Sequence, residues 1–172
     1  DGSAVLFPDF LCETDADDFF SGLHSKTPWE QNSIKFFGKE VPEPRLSTWH
    51  AEANLPYTYS GAPRTPHPWK EPISSLRAAC ETHTGHSFNG ALLNLYRTGQ
   101  DAMGWHSDDE AINGPNPVIA SVSLGAERRF DFLAHRLGGI KLRLLRQVAD
   151  RNAGQVLDFT IVFLVYAGHY PE

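Results

Sequence analysis

Residues 105–110 read Trp-His-Ser-Asp-Asp-Glu, and within them His106-x-Asp108 sets an imidazole and a carboxylate two positions apart. On an extended strand that spacing turns both side chains to one face. The pair supplies two of the three protein donors of a 2-His-1-carboxylate facial triad, which leaves positions open on Fe(II) for a cosubstrate and O2. A two-residue match alone recurs by chance. The run that contains it gives it weight: Asn94-Leu95-Tyr96-Arg97-Thr98-Gly99-Gln100-Asp101-Ala102-Met103-Gly104-Trp105-His106-Ser107-Asp108-Asp109-Glu110.

Such a site needs a scaffold, and 172 residues suffice for one domain with a substantial core. A hydrophobic content of 41% suits a globular chain. Twelve Pro and fourteen Gly favour a strand-rich fold with many turns. No apolar run reaches the length of a membrane span, and no basic-then-apolar leader opens the sequence. Cys12 and Cys80 offer no disulfide framework, so an intracellular setting is expected, cytoplasmic or, in a eukaryote, nuclear.

The net charge of −6 would oppose a nucleic-acid partner if it were spread evenly. It is not. Asp1, Asp9, Glu13, Asp15, Asp17 and Asp18 all precede the first basic residue, Lys26, and from there acids and bases balance. Within 127–151, Arg128, Arg129, Arg136, Lys141, Arg143, Arg146 and Arg151 outnumber Glu127, Asp131 and Asp150. That stripe can meet phosphates; on charge alone it can equally be an ordinary solvated face.

Residues 13–24 predict a helix with Thr14 as N-cap and Phe19, Phe20 and Leu23 as its apolar stripe. Lys35–Lys39 predicts a strand running into a turn. The Pro-, Gly-, Tyr- and Ser-rich stretch 46–67 reads as a loop. Pro72–His83 predicts a second helix, which Gly85 ends. Strands are expected at 88–96, 118–124, 129–133, 140–144 and 159–166, the fourth alternating apolar with basic residues. The expected class is α+β: N-terminal helices packed on an antiparallel sandwich or jelly roll, in a single domain over 1–172.

With these motifs the chain resembles the AlkB-like Fe(II)- and 2-oxoglutarate-dependent dioxygenases that repair alkylated nucleic-acid bases. Agreement runs from about Phe36 to about Leu145 through Phe37-Gly38-Lys39, Pro44-Arg45, Tyr57-Thr58-Tyr59-Ser60-Gly61, Pro68-Trp69, Phe88-Asn89, the Asn94–Glu110 run, and Pro117–Ala126 with Arg129-Phe130. The resemblance implies a double-stranded β-helix, Fe(II) as metal and 2-oxoglutarate as cosubstrate. It implies iron ligation by His106 and Asp108, and cosubstrate hydrogen bonds from Asn94 and Tyr96, an amide and a phenol suited to an acceptor-rich diacid. Tyr57, Tyr59 and Ser60 correspond to a lid over the base, Phe36 and Phe37 to a hairpin wedge, and Asp109 and Glu110 to contacts with the base's exocyclic amines. The implied partner is alkylated nucleic acid, DNA more than RNA, bound by a monomer without membrane attachment.

The C-terminal third departs from the family pattern. The family's second histidine ligand sits in a Trp-x-His some residues after an apolar strand and a glycine. Here Phe163–Gly168 resembles that strand and glycine, and His169, 63 residues after His106, is the tentative third ligand. His135 is a poorer match. The family's Arg-x-Asn-x-x-x-Arg segment, which pairs with the cosubstrate carboxylate, has no counterpart, so a truncated or divergent C-terminal end is expected. Two functions are compatible with this pattern: oxidative demethylation of N-alkylated bases, or nucleic-acid binding by a member with an incomplete iron site.

Overall fold

The computed structural model describes residues 4–8, 10–36, 38–53, 55, 57–59, 62–106, 117–126, 128–136, 140–149 and 158–164. Helix α1 (Glu13–Lys26) starts at Cys12, whose Sγ accepts from the Asp15 N–H at 3.5 Å. Thr14 therefore lies inside the first turn and is not the cap: the extended residue that starts the helix is Cys12. Glu13 and Asp15 at the start and His24 and Lys26 at the end complement the helix dipole. Helix α2 (Ile73–Thr84) follows Pro72 and ends on Gly85, which takes φ 71°, a conformation glycine adopts without a Cβ penalty. Its Ile73, Leu76 and Cys80, spaced three and four apart, form one buried stripe.

Strands β1 (Ser33–Phe36) and β2 (Lys39–Pro42) form the expected hairpin, turning at Gly38 with φ 76°. The stretch 46–67 is not a single loop, contrary to its composition. It contains β3 (Leu46–Ala51) and the hairpin of β4 (Tyr57–Tyr59) and β5 (Ala62–Arg64). Proline and glycine cluster between 56 and 63, whereas Thr48 and Trp49 are good strand formers and β3 pairs along its length with β6.

The main sheet runs in the order β3, β6 (Gly90–Tyr96), β10 (Asp158–Leu164), β7 (Ile119–Gly125), all antiparallel. Central position and cover on both faces leave all seven residues of β6 buried, which is why its sequence does not alternate. One face meets the helices: Ala91, Leu93, Leu95, Val122 and Leu124 pack with Leu23, Ile73, Leu76, Cys80 and Phe88 in a single core. Strands β8 (Arg128–Arg136) and β9 (Ile140–Ala149) pair in a separate ribbon with a register shift at Asp131/Phe132.

The outer edge of β3 is covered rather than bare. Glu30 exchanges both backbone hydrogen bonds with Ser47. His67 donates its N–H to Trp49 O at 2.8 Å and accepts from Ala51 N at 3.1 Å. Their side chains meet as well, His67 Nε2 to Glu30 Oε1 at 3.3 Å. Two short bridges thus take up donors and acceptors that would otherwise template association. No helix among the described residues is long and apolar enough to cross a membrane.

Candidate active site

On β6 the period of two sends Leu93 and Leu95 into the helix-side core and Asn94 and Tyr96 to the opposite face. Both are buried, Asn94 at 1% exposure and Tyr96 at 0%. Asn94 stands in register with Ser47 on β3 and Thr160 on β10, and Thr160 with Ser123 on β7. The Asn94 Oδ1 accepts from Arg45 Nε at 2.8 Å, while its Nδ2 has no partner among the described residues. An unmet buried donor costs about 1–3 kcal/mol, which a bound acceptor would relieve. A carboxylate or keto oxygen is the group this amide fits, so the donor set suits 2-oxoglutarate.

Tyr96 is held from its ring face. The Arg128 guanidinium carbon lies 4.4 Å from the ring centroid, and its two terminal nitrogens donate to Asp101 O and Thr98 O, each at 2.8 Å. The same turn is closed by Arg97, which grips Asp101 through Nε at 2.7 Å and Nη2 at 3.1 Å, with its backbone N–H adding a third bond at 2.9 Å. Burial pushes the Asp101 carboxyl upward, but the bonds from Arg97 and the charges of Arg97 and Arg128 outweigh it and hold the acid below its ordinary range. This fixed turn leads to His106.

His106 is half-buried, in an isolated bridge after a bend at Trp105, and the extended geometry expected over 106–108 runs into residues outside the described ones. A bend at Gly104-Trp105 brings the Gly104 carbonyl oxygen within 2.9 Å of His106 Nδ1. Since a carbonyl only accepts, Nδ1 donates this bond, and Nε2 is the ring atom a metal would use. The described residues present no cluster of three or more His, Cys, Asp or Glu side chains. Asp108 and His169 lie outside the described residues, as do Phe37, Ser60, Asp109 and Glu110. Phe36 closes β1 opposite Lys39, and Tyr57 and Tyr59 sit on β4 opposite Arg64 and Ala62. His135 lies on β8 opposite Lys141.

Sequence reasoning missed the polar layer beneath Asn94. Arg45 and Glu43 are buried at 3% and 1% exposure and pair at 3.2 Å. Pro44-Arg45 was legible as a motif, but nothing in the spacing announced a contact across 49 positions to Asn94. His50 was missed too. It is buried on β3, with Nδ1 donating to Pro68 O at 3.1 Å and its ring 5.5 Å from that of His67. Burial, with the nearby His67 and Lys70, lowers its pKa against the smaller upward pull of the Pro68 bond.

A family model described as the 2OG-Fe(II) oxygenase superfamily matches residues 3–152. The Alpha-ketoglutarate-dependent dioxygenase alkB homolog 3 of Bos taurus is 42% identical over 127 residues, covering 73% of this chain and 44% of that protein. Its Homo sapiens counterpart is 41% identical over the same length, with the same two shares. The DNA oxidative demethylase ALKBH2 of Homo sapiens is 36% identical over 123 residues, 70% of this chain and 47% of that protein. The chain thus spans less than half the length of these relatives.

Proposed function

We propose a function from one premise: the chain belongs to the 2OG-Fe(II) oxygenase superfamily, among its AlkB-like dioxygenases. The activity is oxidative demethylation of N-alkylated bases in nucleic acid, DNA more than RNA, with Fe(II), O2 and 2-oxoglutarate. The observation that carries this reading is Asn94, whose buried Nδ2 donor lacks a partner among the described residues, next to Tyr96 on the same face of β6 and twelve residues ahead of His106.

Bound Fe(II) with 2-oxoglutarate supplies the O2 activation and oxidising power that no side chain has. The protein's part is placement. Asn94 Nδ2 and the Tyr96 hydroxyl orient the diacid, and His106 with Asp108 and a third donor, for which His169 is the candidate, hold the metal. Tyr57, Tyr59 and Ser60 cover the extruded base, Phe36 or Phe37 fills the gap it leaves, and Asp109 and Glu110 meet its amines. The basic positions of β8 and β9 receive the phosphate backbone. An N-methyl group gains a hydroxyl, and the hemiaminal sheds formaldehyde. The main sheet is one half of a double-stranded β-helix, in a single monomeric domain acting in the cytoplasm or nucleus.

Incubating the chain with Fe(II), 2-oxoglutarate and methylated single- or double-stranded DNA should release formaldehyde and succinate together. Oligonucleotide binding without either product would instead favour the non-catalytic alternative.

A further inference from the structure

An asparagine amide can be flipped, exchanging a donor for an acceptor at little intrinsic cost. Against a carboxylate the two states are opposite: Nδ2 attracts it and Oδ1 repels it. Something must therefore choose the flip of Asn94, and Arg45 does. A guanidinium has five donors and no acceptor, so the oxygen of Asn94 must face its Nε, at 2.8 Å, which leaves Nδ2 turned away. Arg45 in turn needs a counter-ion, being almost wholly buried.

We infer that Glu43 is a positioning residue: through Arg45 it fixes the amide of Asn94 with Nδ2 presented to the cosubstrate. This rests on the reading that Asn94 binds 2-oxoglutarate. Glu43 Oε2 lies 3.2 Å from Arg45 Nη2 and accepts from Ser47 Oγ, also at 3.2 Å. It thereby ties the guanidinium plane to β3, the strand beside Asn94. The backbone beneath is equally fixed. Glu43 N donates to Asn32 O at 2.8 Å, Gln31 Nε2 donates to Glu43 O at 2.8 Å, and Ala102 N donates to Pro44 O at 2.9 Å. The last bond joins this segment to the turn that leads to His106.

A purely structural Glu43 would serve stability alone, whereas a positioning Glu43 must act through Asn94. Calorimetric titration of 2-oxoglutarate into the anaerobic Fe(II)-loaded full chain separates the two. Asn94→Ala should weaken binding at least about tenfold, and Glu43→Gln, which keeps volume but not charge, by about fivefold to tenfold. In the Asn94→Ala background Glu43→Gln should change the affinity by less than about twofold. Arg45→Lys, which keeps the charge but loses the planar fork, should reproduce the Glu43→Gln loss and serves if that variant does not fold. Equal losses from Glu43→Gln in both backgrounds, or none in the native one, overturn the inference and leave the Asn94 reading standing. Unchanged binding in Asn94→Ala overturns both.

Discussion

The Arg128 guanidinium lies flat against the ring of Tyr96, 4.4 Å from its centroid, while its ends hold two carbonyls of the following turn. One side chain thus links the end of β6 to the approach toward His106. Arg128→Met keeps the apolar stem but forfeits the ring contact and both bonds. The expected loss is about 2–3 kcal/mol of stability in urea denaturation, with weaker 2-oxoglutarate binding. Unchanged affinity with the same destabilisation would confine Arg128 to the fold.

Asp101 makes the same turn sensitive to acid. Its folded-state pKa is depressed, so its contribution is whole above the ordinary value of 3.8 and is lost as the pH falls through the lower folded value. Asp101→Asn should destabilise by about 1.5–3 kcal/mol at neutral pH, since three bonds from Arg97 lose their charged acceptor. The gap to the native protein should close as the pH drops below the carboxylate range. A gap that stays constant down to strong acid would contradict the assignment.

His50 acts higher on the pH scale. Burial holds it neutral, so the folded state binds fewer protons than the unfolded one just below 6.5. Stability from this site is complete above 6.5 and falls as the pH drops toward the depressed value. His50→Asn, which can still donate to the Pro68 carbonyl, should flatten the urea midpoint between neutral pH and mild acid. An identical slope in the variant would remove His50 from the account.

At the metal, His106→Ala and Asp108→Ala should each abolish formaldehyde release and reduce Fe(II) binding in an anaerobic titration. Chelation of the native chain should do the same reversibly. The far-ultraviolet spectrum of His106→Ala should stay native, because His106 is half-buried and outside the named strands. Residual turnover near the native rate in His106→Ala would discard the ligand assignment.

Local pattern revealed the elements it controls. Ile73, Leu76 and Cys80 at helical spacing, Gly85 as terminator and Gly38 at the hairpin turn act over a few residues, so they were legible. The pairing of β3 with β6 is not legible there, because the composition of 46–67 favours a loop and its strand is stabilised by a neighbour 39 to 49 positions away. Thr14 failed as a cap for a smaller reason: any extended residue with an acceptor can start a helix, and Cys12 holds that place. At the site, His106 stands out by its spacing to Asp108, and Asn94 and Tyr96 through the family resemblance. Glu43, Arg45 and Arg128 matter through contacts across the sheet or along the turn, which no spacing rule encodes.

His67 returns to β3 directly beside Ala51, and its side chain is moored to Glu30 on the same edge. The described residues between them, including the hairpin of β4 and β5, thus belong to an excursion whose two ends are adjacent and anchored. Doubling such an excursion costs only about 0.6 kcal/mol of closure entropy. Its length can therefore change while β3 and β6 keep their alignment. Insertions in this excursion and changes within the main sheet are in this way separately tolerated.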